Sequence, residues 1–416
     1  MINYQGTKVS LYSKLVNHIL LLYPILNTYA LIGSLSIGRA LLLLLVAIFI
    51  FRIVVKQQHP LRFAPRYFNA YCFFWLFSAI LSVTFIGLSV LRSLPGIIYS
   101  FLFMLLFYSE TDFEYILKWY KKYALIFIVF FLVQEALYFF TGVRIPGIIP
   151  GLPLTVDSEI GSERYMEMIV YGYRSTSVFS EPAHFAQWIL PLLAIELMYD
   201  KSKKHYLFAA LIVLTLLFLR SGNAMFGLAV VLFCFALYLL LEDRSKSRHI
   251  IVISFLAAIL IGGSYYLRSD AAADVLKRQD ELALSGNSTD KMGQVRLYRG
   301  YYVFSEYHVL EQVIGMSDIP KLMSYIKGSE VALFFEDNET YFNAIQSILL
   351  KTGYIGLIIF ALLCFDISKK NSHAGKAIVW AFVALSFVAG IFFTPTMALY
   401  LVLANSLKQK NLKSYV

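Results

Sequence analysis

The chain predicts an all-α, polytopic integral membrane protein, and three observations carry that prediction. Apolar residues fill 59% of its 416 positions and charged residues only 15%, whereas a soluble domain is about one quarter charged. The mean hydropathy is +0.68. Apolar runs of about twenty residues, the length that crosses about 30 Å of hydrocarbon, recur from end to end. Lys and Arg gather in every second connecting segment, as they do when a chain alternates between two sides of a membrane.

Twelve spans are expected, over approximately 15–32, 36–54, 67–90, 94–107, 124–142, 184–199, 206–220, 224–241, 250–267, 343–365, 377–393 and 396–407. The fourth, seventh and last are short, so counts of eleven or ten also fit. No short apolar region with a small-residue cleavage site precedes the first span, which is expected to act as its own insertion signal. Phe113, Ile116, Leu117 and Tyr120 fall on one helical face, with Lys118, Lys121 and Lys122 elsewhere. That pattern predicts a separate interfacial helix over Phe113–Tyr123 before the fifth span. Cys72, Cys234 and Cys364 all lie inside apolar runs without metal or disulfide spacing, and read as small buried hydrophobes.

The basic residues set the orientation. One set of alternate segments holds Arg52, Lys56, Arg62 and Arg66; Lys118, Lys121 and Lys122; Lys201, Lys203 and Lys204; and Lys369, Lys370 and Lys376. Lys8, Lys14, Arg244, Lys246, Arg248, Lys408, Lys410 and Lys413 fall on the same side, giving it more than half of the 36 basic residues. Both termini are therefore expected in the cytoplasm of a multi-pass protein of the cytoplasmic (inner) membrane. The net charge of +10 is this asymmetry summed over the loops, and it is no evidence for nucleic acid.

Two outer loops are long, over 143–183 and 268–340, in what reads as a single membrane domain without internal repeats. The first opens with Arg144-Ile-Pro-Gly-Ile-Ile-Pro-Gly-Leu-Pro, which precludes a continuous helix. In the second, Ser285-Gly-Asn-Ser-Thr-Asp reads as a turn region. Val303, Phe304, Tyr307, Leu310 and Val313 then give the spacing of an amphipathic helix after Arg299.

The candidate chemistry sits where the first long loop enters the sixth span. Residues Arg174-Ser-Thr-Ser-Val-Phe-Ser-Glu181-Pro-Ala-His184-Phe-Ala place a cation, an acid and an imidazole at the rim of an apolar run. Ionisable groups so close to hydrocarbon are costly, and they usually mark a working site. Glu181 and His184, three residues apart, share a helical face, and either can take a proton from an attacking hydroxyl. The competing reading is structural. Pro182 suits the first helical position, Ser180 or Glu181 caps it, and His184 is an interfacial histidine.

Arg296 and Arg299, also three apart, would present two adjacent forks to phosphate oxygens. A solvated helix whose arginines pair with acids such as Glu306 is the alternative, and Arg174 in the other long loop tips the balance toward a site. Arg220, before Ser221-Gly-Asn, is a fourth cation or a snorkelling anchor. Glu135, inside the fifth span, is either a pocket residue paired with an arginine or half of a purely structural ion pair. There is no Walker loop, dinucleotide glycine pattern, HExxH or Asp-rich divalent-metal motif, so a mechanism without metal or cofactor is expected. Glu336, Asp337 and Glu339 form the one acidic run suited to a cation, with a solvated run as the alternative.

At these residues the chain resembles the O-antigen polymerase (Wzy) family, which is grouped with the O-antigen ligases in one superfamily. The resemblance rests on the Arg174…Phe179-Ser-Glu181-Pro182 stretch before a span, on the two long outer loops, and on Asn343…Leu350-Lys-Thr-Gly353-Tyr-Ile-Gly356. Arg299 followed by Gly315 adds to it, and Ala183 stands where a serine is often seen. The resemblance implies a GT-C-like membrane glycosyltransferase. Its substrates would be undecaprenyl-pyrophosphate-linked oligosaccharide repeat units, joined into O-antigen, capsular or exopolysaccharide chains at the outer leaflet. A chain-length regulator and a flippase are the implied partners, besides membrane lipids.

In that chemistry the growing chain leaves its pyrophosphate carrier for a hydroxyl of the incoming unit. Arg174, Arg296 and Arg299 would face the pyrophosphate, and Glu181 or His184 the hydroxyl. Tyr298, Tyr301 and Tyr302 would stack on sugar faces, or serve simply as interfacial tyrosines. A ligase of the same superfamily is the nearest alternative, implied to use a histidine late in the large outer loop, where only His308 stands. A flippase is the next, against which the absence of repeated halves and the long loops both speak.

Overall fold

The computed structural model describes residues 9–56, 62, 64–155, 173–199, 205–242, 300–317, 342–369 and 371–407. Helix α1 (Leu11–Leu26) starts on Ser10, whose hydroxyl accepts the Ser13 amide at 3.0 Å, and ends at Asn27 just after Pro24. A small hairpin follows, β1 (Ala30–Ile32) against β2 (Leu35–Ser36), turning at Gly33 with φ 56°. The first span expected over 15–32 is thus corrected, because the chain beyond Leu26 pairs with the loop after the fifth helix. The Ala30 amide donates to Pro153 O at 2.8 Å, and that of Thr155 to Thr28 O at 3.1 Å.

Helices α2 (Ile37–Lys56), α3 (Arg66–Ile86) and α4 (Leu94–Glu110) match their expected spans within a few residues. The fifth does not. Helix α5 runs unbroken from Phe113 to Thr141, so the interfacial helix and the span are one element of 29 residues. Asp112 caps its start, accepting the Tyr115 amide at 2.8 Å, and Gly142 at φ 70° ends it. No Gly or Pro lies between to interrupt it, and Ile116, Leu117 and Tyr120 form the buried face read from the sequence.

Helices α6 (Pro182–Met198), α7 (His205–Phe218) and α8 (Gly222–Glu242) follow, then the short α9 (Val309–Ile314). The chain closes with α10 (Ala344–Lys369), α11 (His373–Ser386) and α12 (Pro395–Ser406). Six stretches among the described residues are long and apolar enough to cross a membrane: Ile37–Val55, Arg66–Thr84, Leu91–Glu110, Phe113–Thr141, Gly222–Leu241 and Ala344–Lys369. Phe51 and Val54 on α2, Phe73 and Ile80 on α3, and Ile126 and Val129 on α5 are exposed, as lipid-facing side chains would be. The protein is therefore an all-α polytopic membrane protein. The expected span 250–267 lies outside the described residues.

Helix α6 is the axis of the bundle. Every residue from Phe185 to Leu197 is buried, including Gln187 and Glu196, on a helix otherwise apolar on every side. Trp188 Nε1 donates to Leu21 O at 2.7 Å, and the Tyr400 hydroxyl to Gln187 O at 2.6 Å, tying α6 to α1 and α12. One end of the bundle gathers Glu110, which accepts from Ser13 Oγ at 2.5 Å and pairs with Arg52 at 3.4 Å. Arg66 and Asp366 (3.4 Å) join α3 to α10 toward the same end. The opposite end holds residues 27–36, 142–155, 173–181 and 219–222.

Near that opposite end α10 is broken. Gly353, at φ 61° and ψ −161°, splits it into two halves. The amides of Met316 and Ser317 donate to Leu350 O (2.9 Å) and Lys351 O (3.0 Å), completing the carbonyl end of the first half. The span expected over 343–365 is present as Ala344–Lys369, with this break inside it. The amphipathic helix expected after Arg299 is corrected: it breaks at Tyr307–His308 into a helical stretch over 300–305 and α9. Val303, Phe304 and Tyr307 are buried as expected, whereas Leu310 is exposed. Of the expected span 377–393, the helical part stops at Ser386.

Candidate functional site

The segment 173–181 descends onto the start of α6 in an irregular path fixed by α5. Gln134, fully buried, clamps one peptide of it. Its Nε2 donates to Ser177 O at 3.1 Å and to Ile145 O at 3.2 Å, and its Oε1 accepts the Ser177 amide at 2.8 Å. The Ser177 hydroxyl donates to Phe127 O at 2.7 Å. These bonds hold Ser177 at φ 57°, a left-handed conformation that costs a residue with a β-carbon about 1–3 kcal/mol. The Pro-Gly stretch packs directly over this turn. A β-carbon on Gly147 would sit 1.9 Å from Thr176 Oγ1 and 2.6 Å from Ser177 O.

Glu181 is the N-cap residue of α6, with extended backbone (φ −140°, ψ 151°), and Pro182 occupies the first helical position. Its carbonyl receives the first amides, from His184 at 3.2 Å and Phe185 at 3.3 Å. Its carboxylate makes no capping bond, so the structural reading of Glu181 as a side-chain cap does not hold. Ser180 Oγ lies 2.9 Å from His184 Nδ1, a contact that orients the ring. Arg174, Glu181 and His184 are all half-buried.

Behind this segment stands the ion pair. Arg220 Nη2 lies 3.5 Å from Glu135 Oε2, and Nη1 donates to Tyr173 O at 3.2 Å, next to Arg174. Glu135 Oε1 and Arg220 Nε are buried without a hydrogen-bond partner. Arg220 itself holds φ 48°, a second strained backbone beside the first. The Tyr173 hydroxyl donates to Ile145 O at 2.6 Å, and burial raises its pKa above the ordinary phenol value, keeping it a neutral donor.

The structure therefore brings Glu135, Arg220 and the Tyr173–Arg174 backbone together, and sets Glu181 and His184 at the helix start a few residues on. Arg296, Tyr298 and Arg299 lie outside the described residues, as do Glu336, Asp337 and Glu339. Gly300, next to them, packs so tightly that its β-carbon would meet Gln346 Cβ at 2.6 Å, which seats this end of the loop against α10. His308 is exposed and starts α9, its amide donating to Glu311 Oε2 at 2.8 Å. Among the described residues no cluster of three His, Cys, Asp or Glu is placed to hold a metal ion.

Gln134 is the functional residue that sequence reasoning passed over. Its signal was present, since Gln134 and Glu135 interrupt the apolar run from Ala124 to Tyr138 as an adjacent polar pair. One member clamps the site segment and the other pairs with Arg220. No family model matches the chain, and comparison with curated proteins and with solved structures gives no match.

Proposed function

We propose that the protein polymerises glycan repeat units carried on a polyprenyl pyrophosphate at the outer face of the cytoplasmic membrane. The observation that carries this reading is the carboxylate of Glu181, at the start of the most buried helix and not engaged in capping it, three residues before a serine-bonded His184, on a segment that begins at Arg174 and that Arg220, paired with Glu135, holds through Tyr173 O. An acceptor hydroxyl oxygen attacks the anomeric carbon of the growing chain. The bond from that carbon to the pyrophosphate oxygen breaks, and its electron pair leaves with the pyrophosphate. The hydroxyl proton passes to Glu181 or His184.

The arginines supply the positive field that the departing pyrophosphate needs, with Arg296 and Arg299 of the second loop completing it. This chemistry asks for no metal, so product formation is expected to persist in excess EDTA. The expected orientation, with both termini cytoplasmic, puts this end of the bundle on the side where such lipid-linked units wait.

Glu181→Gln tests the reading, since it keeps size and most hydrogen-bonding capacity while removing the base. Purified protein given lipid-linked repeat units should lose its ladder of products, with membrane abundance unchanged. A normal ladder from Glu181→Gln would take Glu181 out of the mechanism.

A further inference from the structure

At the end of the bundle remote from Glu181, the basic residues divide into two kinds. Arg52 pairs with Glu110, Arg66 with Asp366 and Lys121 with Glu196. Lys14 of α1 and Lys118 and Lys122 of α5 form no ion pair among the described residues, and Lys118 and Lys122 are exposed. Glu114, exposed one turn before Lys118, is not paired with it. Where α1 meets α5, three ammonium groups are therefore set against one carboxylate.

Beside these lysines runs an aromatic face with a hydrogen-bond donor to spare. Tyr115, Trp119 and Tyr123, each four residues from the next, lie along one side of α5 and close around His18, one turn after Lys14 on α1. His18 Nε2 is 2.9 Å from the Tyr115 hydroxyl and Nδ1 is 2.9 Å from that of Tyr123, while the ring centroid is 4.8 Å from that of Trp119. A neutral imidazole carries one N–H and one lone pair. One of the two tyrosines therefore only accepts in this bridge and keeps its own O–H to donate. Lys122 Nζ lies against the same face, 4.6 Å from the Trp119 centroid.

Lys118 and Lys122 head a stripe of α5 that turns apolar toward the middle of the bundle. Leu125, Val129 and Val133 follow them at helical spacing, exposed by 49%, 50% and 44%. From Lys122 to Val133 the axis rises about 16 Å, the depth of one leaflet of a hydrocarbon core about 30 Å thick. Cations, then interfacial rings, then a leaflet's depth of exposed aliphatic surface is the order met along a phospholipid from headgroup to chain end. Interfacial tyrosine and tryptophan suit any lipid. The unpaired lysines add a demand for negative charge.

We infer that α1 and α5 form a binding site for one anionic phospholipid. Lys118, Lys122 and the spare tyrosine hydroxyl hold its phosphate, Lys14 stands at the rim, and an acyl chain lies along Leu125, Val129 and Val133. Lysines gathered between membrane helices at the cytoplasmic side suit such headgroups, and the orientation expected from the basic residues puts this end in the inner leaflet. The site is at the other end of the bundle from Glu181, and its assignment does not depend on the polymerase reading.

The test is titration of the full chain, in detergent, with phosphatidylglycerol and with phosphatidylcholine, the bound lipids being counted by native mass spectrometry. The first phosphatidylglycerol should bind at least tenfold more tightly than the first phosphatidylcholine. Replacing both Lys118→Gln and Lys122→Gln should weaken phosphatidylglycerol at least tenfold, as loss of two interfacial charges requires, and leave phosphatidylcholine unchanged. Lys118→Arg with Lys122→Arg should retain the affinity within threefold, and Tyr115→Phe with Tyr123→Phe should weaken it at least threefold. Lys376→Gln, at the same end of the bundle, should alter neither lipid. Glycerol 3-phosphate should not compete, and competition as strong as that of the lipid would make the ligand a soluble phosphate and overturn the lipid assignment. Thermal unfolding of each variant accompanies its titration, and Lys122→Gln alone, expected to weaken binding at least threefold, carries the test if the double variant unfolds. Equal affinity of the wild type for the two lipids, or undiminished phosphatidylglycerol binding by the folded glutamine variant, would overturn the proposal.

Discussion

Gln134→Leu should loosen the segment that carries the candidate site while leaving the bundle standing. Leucine matches the volume of glutamine and removes all three bonds: to Ser177 N (2.8 Å), Ser177 O (3.1 Å) and Ile145 O (3.2 Å). Ile145 O retains the Tyr173 hydroxyl at 2.6 Å. Ser177 N and O lose their partner in a place where Gln134 is 0% exposed, so water does not substitute. A buried backbone group left unpaired costs about 1–3 kcal/mol, and two cost about 2–6 kcal/mol. The strain at Ser177 (φ 57°) then favours release of the turn. Hydrogen–deuterium exchange in nanodiscs reads this directly. A loss of about 2 kcal/mol is about thirtyfold faster opening, confined to peptides covering 173–181, with the α12 peptides unchanged. Gln134→Glu, which keeps the acceptor for Ser177 N and loses both donors when ionised, should fall between. Exchange within about threefold of the wild type in Gln134→Leu would refute the clamp.

Three further outcomes follow from the same geometry. Gly353→Ala and Gly315→Ala should both abolish the folded yield. Each adds about 1–3 kcal/mol from positive φ alone, and each puts a β-carbon into backbone, 2.4 Å from Val313 O or 2.2 Å from Thr352 N. Gly222→Ala, with nothing within 4 Å, is the tolerated control, and equal yields for all three would remove the packed crossing of α9 and α10. Lys121→Met should lower the melting temperature by removing a cation 2.7 Å from Glu196, which is 1% exposed. The cost stays below the about 3–5 kcal/mol of breaking a fully buried pair, since Lys121 is itself 31% exposed. Adding Glu196→Gln should restore much of the melting temperature, and a melt unchanged by Lys121→Met alone would show that the pair is not what neutralises Glu196. Cysteines placed at Asp157 and at Asn287 should label with a membrane-impermeant thiol reagent in spheroplasts. Protection of both would reverse the orientation inferred from the basic residues.

The contrast between α5 and α10 shows what the sequence could convey. Both are long apolar stretches, and composition alone sufficed to identify them as spans. Their continuity was decided by features that composition does not weigh. In α5 the lysines at 118, 121 and 122 suggested a boundary, yet no residue there breaks a helix. Lys121 instead finds Glu196 on α6 and Lys122 lies over Trp119 at 4.6 Å, so the helix runs through. In α10 the glycine at 353 was visible, but a lone glycine in an apolar run is usually tolerated. Only the approach of α9 turns it into a break, because Gly315 and Gly353 let two backbones touch, a contact between positions far apart in sequence. The amides of Met316 and Ser317 then replace the helical partners that Leu350 and Lys351 lose, which is why the break is stable at that depth.

The candidate site divides along the same line. Glu181, His184 and Arg174 were legible because charges beside an apolar run are conspicuous in one dimension. Glu135 and Arg220 were legible too, as an intramembrane acid expected to pair with an arginine and as a cation at a span end. That they pair with each other was not, nor was the clamp by Gln134, because these contacts exist only through the packing of α5 and the start of α8 against residues 173–177. That difference bears on mechanism. In the mechanism proposed, the base at this helix start acts only if the segment before it is rigid, since a small misplacement of reacting groups removes most of the advantage of proximity. The strained backbones at Ser177 and Arg220, each held beside a side-chain hydrogen bond or ion pair from α5, supply that rigidity. Chain length in the product should therefore fall in Gln134→Leu even though Gln134 touches no substrate, and should recover less in Gln134→Glu than the preserved bond to Ser177 N alone would give.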